Sequence, residues 1–252
     1  MKVYHGTTEA VARQAVTESL KPRGESGADT NWENCPSRSD LVYLTVAYAG
    51  YFGIAASEPG TKIGILEIDL DLLDQSLLLP DEDFIEQGTR GHDDQWQDPL
   101  IRESIRDLDM GQRTEFFRDN LTLFSGLWEL SLEGLGNCAY RGSIPARAIS
   151  RVTVFDPKEN PVITNMLLDP SISLMNYKFV GEKYRALCRW LAGHEVAAGD
   201  LFMTPGISID VKGSSPHEML QQWEKQMADL QVDLDQGAGR DLIKVRGYAK
   251  GI

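Results

Sequence analysis

Cysteine is scarce in this chain of 252 residues: Cys35, Cys138 and Cys188 stand far apart and are odd in number. That spacing supports neither a disulfide framework nor a zinc motif, and a reducing compartment is the natural reading. Histidine is nearly as rare, and His5, His92, His194 and His217 show no paired metal-ligand spacing, so no catalytic metal is expected. Long apolar runs are missing too. None approaches the ~20 residues that a membrane helix needs, and Met1-Lys2-Val3-Tyr4-His5 has no apolar signal region. A cytoplasmic protein with no membrane partner is expected. Positive charge is the last shortage: 25 Lys and Arg face 38 Asp and Glu, a net charge of −13. This opposes general attraction to a nucleic-acid backbone, which rests on basic patches and counterion release, although a local basic groove stays compatible with it.

What is present describes an ordinary globular chain, with 42% hydrophobic and 25% charged residues. Its charge is uneven. Residues 80–110 hold ten acids, from Asp81, Glu82 and Asp83 to Asp109, against Arg90, Arg102 and Arg106. The segment reads as a solvated acidic insertion over about 78–111, or as an acidic surface that steers toward a basic protein.

Periodicity predicts a strand at residues 2–4, then a helix over Glu9–Leu20 capped by Thr7 or Thr8. Lys21–Asp40 is dense in Gly, Pro, Ser, Asn and Asp and reads as a long loop. Strands are expected at Leu41–Thr45, Ile63–Leu70, Cys138–Gly142 and Ile149–Phe155, and a helix of small and aromatic residues at Ala47–Ala56. One amphipathic helix is expected over Gln112–Leu132. Further on come a helix at Tyr177–Leu191, a short strand at Ile207–Val211 and a helix from Ser215 to Leu230 with Pro216 at its first position. No internal repeat or low-complexity tract is evident.

Chemistry begins at Tyr4-His5-Gly6-Thr7. A histidine at the end of an edge strand offers a ring nitrogen to a ribose hydroxyl, and the glycine lets a flat ring approach the backbone. Alone, a His-Gly pair in a turn is more often structural. The order of features adds to it: His-Gly-Thr, a helix ending in Leu20-Lys21-Pro22, a long polar loop, then Val42-Tyr43-Leu44-Thr45 running into an Ala-rich helix. This order resembles the N-terminal half of the ADP-ribosyltransferase superfamily, in the His-Tyr branch that includes poly(ADP-ribose) polymerases, rifamycin-modifying transferases and tRNA 2′-phosphotransferases. The resemblance runs through about residues 3–70 and resumes at about 135–156, where Ala139-Tyr140-Arg141-Gly142 precedes Ile144-Pro145.

The resemblance implies an α+β fold of split antiparallel β-sheets with flanking helices. It places an NAD-binding domain at 1–160 and leaves 161–252 as a mostly helical extension. NAD would be a substrate. His5 would bond its ribose, Gly6 would hold the nicotinamide amide through the backbone, and Thr7 would support that turn. Tyr43 would stack on the nicotinamide with Thr45 beside it, while Trp32 and Arg38 from the loop would meet adenine and phosphate. Such a site works by positioning and electrostatics and needs no bound metal. Many members carry a glutamate at the start of the late strand. Here Asn137 stands nearest, with Glu133 upstream, and an asparagine bonds a ribose but takes no proton.

The expected activity is mono-ADP-ribosyl transfer from NAD to a macromolecular acceptor, with the acidity favouring a protein over nucleic acid and the size suiting a bacterial or phage effector. The alternatives are a non-catalytic NAD-, nucleotide- or protein-binding module, and a tRNA 2′-phosphotransferase-like enzyme. The latter needs a second histidine where Tyr43 stands.

Overall fold

Thr8 ends the first strand and starts the first helix, because its hydroxyl accepts the Val11 N–H and so satisfies one orphan donor of the first turn. In the computed structural model, which describes residues 1–27, 37–89, 103–168, 177–197, 225 and 248–249, β1 (Lys2–Thr8) thus leads into α1 (Glu9–Ala15), β2 (Ser19–Leu20) and α2 (Arg23–Ser26). Then come β3 (Leu41–Thr45), α3 (Ala49–Ala55), β4 (Ile63–Asp69), β5 (Leu78–Pro80) and α4 (Glu82–Thr89). The chain continues through α5 (Met110–Asp119), a 3₁₀ stretch at Leu121–Leu127, α6 (Trp128–Gly134), β6 (Asn137–Arg141), β7 (Ile144–Pro145) and β8 (Ile149–Phe155). It closes with α7 (Pro161–Leu167), α8 (Tyr177–Leu191), β9 (Val196–Ala197) and β10 (Tyr248–Ala249). Trp32 and the elements expected at Ile207–Val211 and Ser215–Leu230 lie outside the described residues, Lys225 excepted.

Six strands form one antiparallel sheet in the order β5-β6-β3-β1-β4-β8, an α+β architecture. β1 therefore lies inside the sheet and is not the edge strand expected from sequence. Its seven residues all pair with β4, yet only Tyr4 pairs with β3, opposite Thr45. β4 is buried along almost its whole length, which is why Ile63–Asp69 reads as a nearly continuous apolar run.

Alternation divides the sheet's side chains between cores. On one face Tyr4, Ile63 and Ile65 join Tyr48 of the β3–α3 turn and Leu167, Tyr184, Leu187, Trp190 and Leu191 of α7 and α8. On the other, Val3, Val42, Leu44, Leu66 and Ile68 pack with Ala12 and Ala15 of α1. A third cluster gathers Leu41, Leu79 and Ala139 under Ile85, Phe117, Leu121 and Phe124.

Two expected helices are shorter. The Glu9–Leu20 helix stops at Ala15, and Ser19–Leu20 pairs instead with Ile144–Pro145. The helix expected over Gln112–Leu132 is broken into α5, the 3₁₀ stretch and α6. Asn120 leaves helical geometry, and its side-chain amide bonds the Phe116 carbonyl at 2.9 Å, closing the first piece. The apolar stripe survives the break, since Phe117, Leu121 and Phe124 stay in one cluster.

α8 is fastened at its C-terminus. Gly193, at φ 80°, donates to the Trp190 carbonyl and His194 to that of Arg189, a Schellman ending. Arg151 and Thr153 on β8 supply further donors to the carbonyls of Gly193 and Leu191. His194 then reaches the buried Glu67 carboxylate on β4 through Nε2.

Candidate functional site

Between β1 and β3 the fold brings His5 to the main chain of Tyr43. Past the Tyr4–Thr45 pair the two strands stop exchanging main-chain bonds, and the His5 ring takes over the join: Nδ1 lies 2.8 Å from the Tyr43 carbonyl oxygen. A carbonyl only accepts, so Nδ1 carries the hydrogen and Nε2 keeps a lone pair. Burial lowers the His5 pKa below the usual histidine range, against the opposing pull of the Tyr43 bond, so the ring is neutral at physiological pH. Among the described residues Nε2 has no hydrogen-bond partner. The ring is thereby oriented, with one acceptor left over at Nε2.

Tyr43 meets His5 through its main chain, while its phenol goes elsewhere. Strand alternation, anchored on the Tyr4–Thr45 pair, sends the Tyr43 ring toward the face of Tyr4 and the His5 ring toward that of Val3. The Tyr43 hydroxyl donates to Glu82 Oε1 at 2.6 Å and accepts the Arg38 N–H at 3.1 Å. Burial, then the adjacent Glu82 carboxylate, pushes this phenol well above its ordinary pKa, so it is a donor and not a phenolate. Three of the five Arg38 donors are engaged: Nε and Nη2 pair with Asp40 at 3.0 and 2.8 Å, and Nη1 bonds the Arg118 carbonyl.

Thr45 and Gly6 serve the corner above the seam. The Thr45 hydroxyl donates to the Gly136 carbonyl and accepts the N–H groups of Ala47 and Tyr48, which fixes the turn from β3 into α3. A Cβ on Gly6 would lie 1.6 Å from the Ala49 carbonyl oxygen, so the glycine is what lets α3 rest directly on β1. Thr7 is buried beside it.

The two residues considered for the third position part company. Glu133 is exposed on α6, whereas Asn137 is 2% exposed and pairs with Thr45 across β3 and β6. Neither amide atom of Asn137 completes a hydrogen bond. Register places Asp81 next to it, one step beyond the Pro80–Cys138 pair, and the amide lies close enough to pull the Asp81 carboxyl down without reaching bonding geometry. That pull is the weaker effect: burial, followed by the charges of Glu82 and Asp83, raises Asp81 well above the usual carboxyl range. Ser131 ties the corner together, accepting the Asp81 N–H at 3.0 Å and donating to the Asn137 carbonyl at 2.7 Å.

Asp81 and Glu82 are thus the carboxyl groups that the fold brings to Asn137 and Tyr43, and both were read from sequence as part of a solvated insertion. The available signal was Leu77-Leu78-Leu79-Pro80, an apolar run that β5 buries at the sheet edge. Among the described residues no group of three His, Cys, Asp or Glu side chains is placed to hold a metal ion. No protein-family model, no curated protein and no solved structure matches this chain.

Proposed function

We propose that this protein is an ADP-ribosyltransferase that uses NAD as substrate and modifies a macromolecular acceptor, a protein in preference to nucleic acid. The observation that carries the reading is His5: a neutral ring, held at Nδ1 by the Tyr43 carbonyl, whose Nε2 has no hydrogen-bond partner among the described residues. A ribose hydroxyl is the matching donor. The antiparallel sheet with flanking helices agrees with the α+β class that the sequence resemblance implies, although its six strands form one continuous sheet where split sheets were expected.

In this reading the bond between ribose C1′ and the nicotinamide nitrogen breaks, and its electron pair leaves with nicotinamide. An acceptor nucleophile bonds C1′, and its proton passes to solvent water. The exposed Glu133 has no part in it. Incubation with NAD labelled on the adenylate, together with whole-cell protein, should give protein-bound label. His5→Asn keeps a donor for the Tyr43 carbonyl but lacks the Nε2 acceptor, and should lose labelling by about tenfold or more, the scale of a lost charged or catalytic hydrogen bond. Glu133→Gln should leave labelling unchanged. Labelling that survives His5→Asn in a folded variant overturns the assignment.

A second reading, a module that binds NAD without transferring it, is favoured by Asn137 standing where the family glutamate is expected. NAD binding by wild type and its loss in His5→Asn, with no label transferred in either, would select it.

A further inference from the structure

On the sheet face carrying Tyr4, a cavity of about 360 Å³ opens between the start of β1 and α8, lined by Lys2, Tyr4, Val46, Arg185, Arg189 and His194. We propose that it is a binding site for a small phosphomonoester, separate from the His5 seam. Consecutive residues of a strand face opposite sides, so the Tyr4 and His5 rings address different faces of the sheet.

The lining holds cations and no carboxylate. Arg185 and Arg189 stand one turn apart on α8, a spacing that puts both stems on one helix face. Two acids bonded to the lining residues Lys2 and His194 already have partners. Asp69 takes Lys2 at 2.8 Å, and Glu67 accepts Ser150 at one oxygen, 2.6 Å away, and His194 at the other. Burial works against the Glu67 charge, yet those two bonds outweigh it and hold the carboxyl below its usual range. Arg189 forms no ion pair among the described residues, while Arg151, whose charge helps keep Glu67 ionised, gives its hydrogen bonds to the carbonyls of Ala192 and Gly193. Positive charge is left over here, in a chain whose net charge is −13.

The second observation is Tyr4. The residue is only 5% exposed, lines the cavity, and its hydroxyl makes no hydrogen bond among the described residues. The hydroxyl itself reaches the cavity surface, so its donor is available to a ligand seated there. A phosphate group answers both features: its oxygens accept from the Tyr4 hydroxyl and from a guanidinium fork, and its charge matches the surplus. The volume exceeds what inorganic phosphate alone fills, and the stem of Tyr4 with Val46 gives an apolar wall for the carbon skeleton of an ester.

The test is calorimetric titration of the full chain with ribose 5-phosphate, inorganic phosphate and acetate, with thermal melting as a check on folding. Ribose 5-phosphate should bind more tightly than inorganic phosphate, and acetate should not bind. Arg189 is exposed, so Arg189→Gln should fold as wild type and weaken ribose 5-phosphate binding roughly tenfold to a hundredfold, the loss expected for a charge-assisted contact. Tyr4→Phe should weaken it further in the double variant. His5→Asn should bind the phosphate unchanged, which separates this site from the one proposed for NAD. Absence of binding to wild type, affinity unaltered by Arg189→Gln, or affinity lost in His5→Asn would each overturn the proposal.

Discussion

At the scale of single residues, two buried ionisable groups give opposite pH signatures. The native His5 ring resists protonation, whereas an unfolded chain takes the proton near pH 6.5. The unfolded state then binds more protons, so this contribution to stability is complete above that pH and is lost as pH falls through it. His5→Asn should melt within about 2–4 °C of wild type at pH 7.5, the equivalent of ~1 kcal/mol in a domain of this size. Its melting temperature should fall less steeply than that of wild type between pH 7 and 5. Parallel curves would show that the ring is not held neutral. Asp81 behaves the other way. Its native carboxyl holds a proton over a range where the unfolded chain has released it, so stability falls as pH rises from the ordinary carboxyl range toward the native value. Asn keeps the oxygen that accepts the Asp83 N–H at 2.9 Å and removes the buried charge. Asp81→Asn should therefore raise the denaturation midpoint at pH 7, and the gain should shrink on acidification; a variant less stable at every pH would mean that the charge is compensated. If the same change also abolishes label transfer, Asp81 is retained for activity at the expense of stability.

At the scale of elements, the contact between β1 and α3 has the least tolerance. The Cβ that Gly6→Ala adds would meet backbone atoms, Ala49 C at 2.6 Å and Gly53 N at 2.7 Å, and neither yields as a side-chain tip would. Overpacking in cores costs about 1–3 kcal/mol, and a backbone clash belongs at or above the top of that range. Chemical denaturation should show the loss, and an unchanged midpoint would mean that α3 lifts freely. This contact was not legible, since the sequence reading reserved the space over Gly6 for a flat ring and the α3 backbone fills it; the Leu41–Thr45 strand does follow from pattern, and so do Ile149–Phe155 and Tyr177–Leu191, whose long apolar periodicities leave little choice. What escaped has physical causes. β5 is three residues long and ends in Pro80, which a sheet accepts only where the N–H side is unpaired, so nothing but its edge position makes it a strand. The break at Asn120 depends on one side-chain bond. The neighbourhood of His5 and Tyr43 on adjacent strands was legible by order along the chain, but their actual partners, a main-chain carbonyl and Glu82, arise from pairings 38 and 39 residues apart that periodicity does not encode.

At the scale of the whole molecule, the question is whether residues 1–160 stand alone, as the extent of the sequence resemblance suggests. The packing argues that they do not. Ile163, Leu167, Tyr184, Leu187, Trp190 and Leu191 all lie in the cluster that covers Tyr4, Tyr48, Ile63 and Ile65, and each of the six is at most 1% exposed. At about 1.5–3 kcal/mol for each large side chain removed from water, their burial is worth roughly 9–18 kcal/mol. Native domains are stable by only about 5–15 kcal/mol in total, so the loss is comparable to everything that holds the fold. Polar fastenings go with it: Glu67 would keep Ser150 but lose His194, and Arg151 and Thr153 would lose the helix end they cap. A chain truncated after Asn160 should consequently show no cooperative thermal transition and should bind a hydrophobic dye, while the full chain melts in one step. Truncation after Ala197, which keeps α7, α8 and the His194–Glu67 bond, should recover the transition. If the 160-residue piece melts cooperatively by itself, the resemblance marks an independent domain, and α8 is an accessory that shields a face the sheet tolerates exposed.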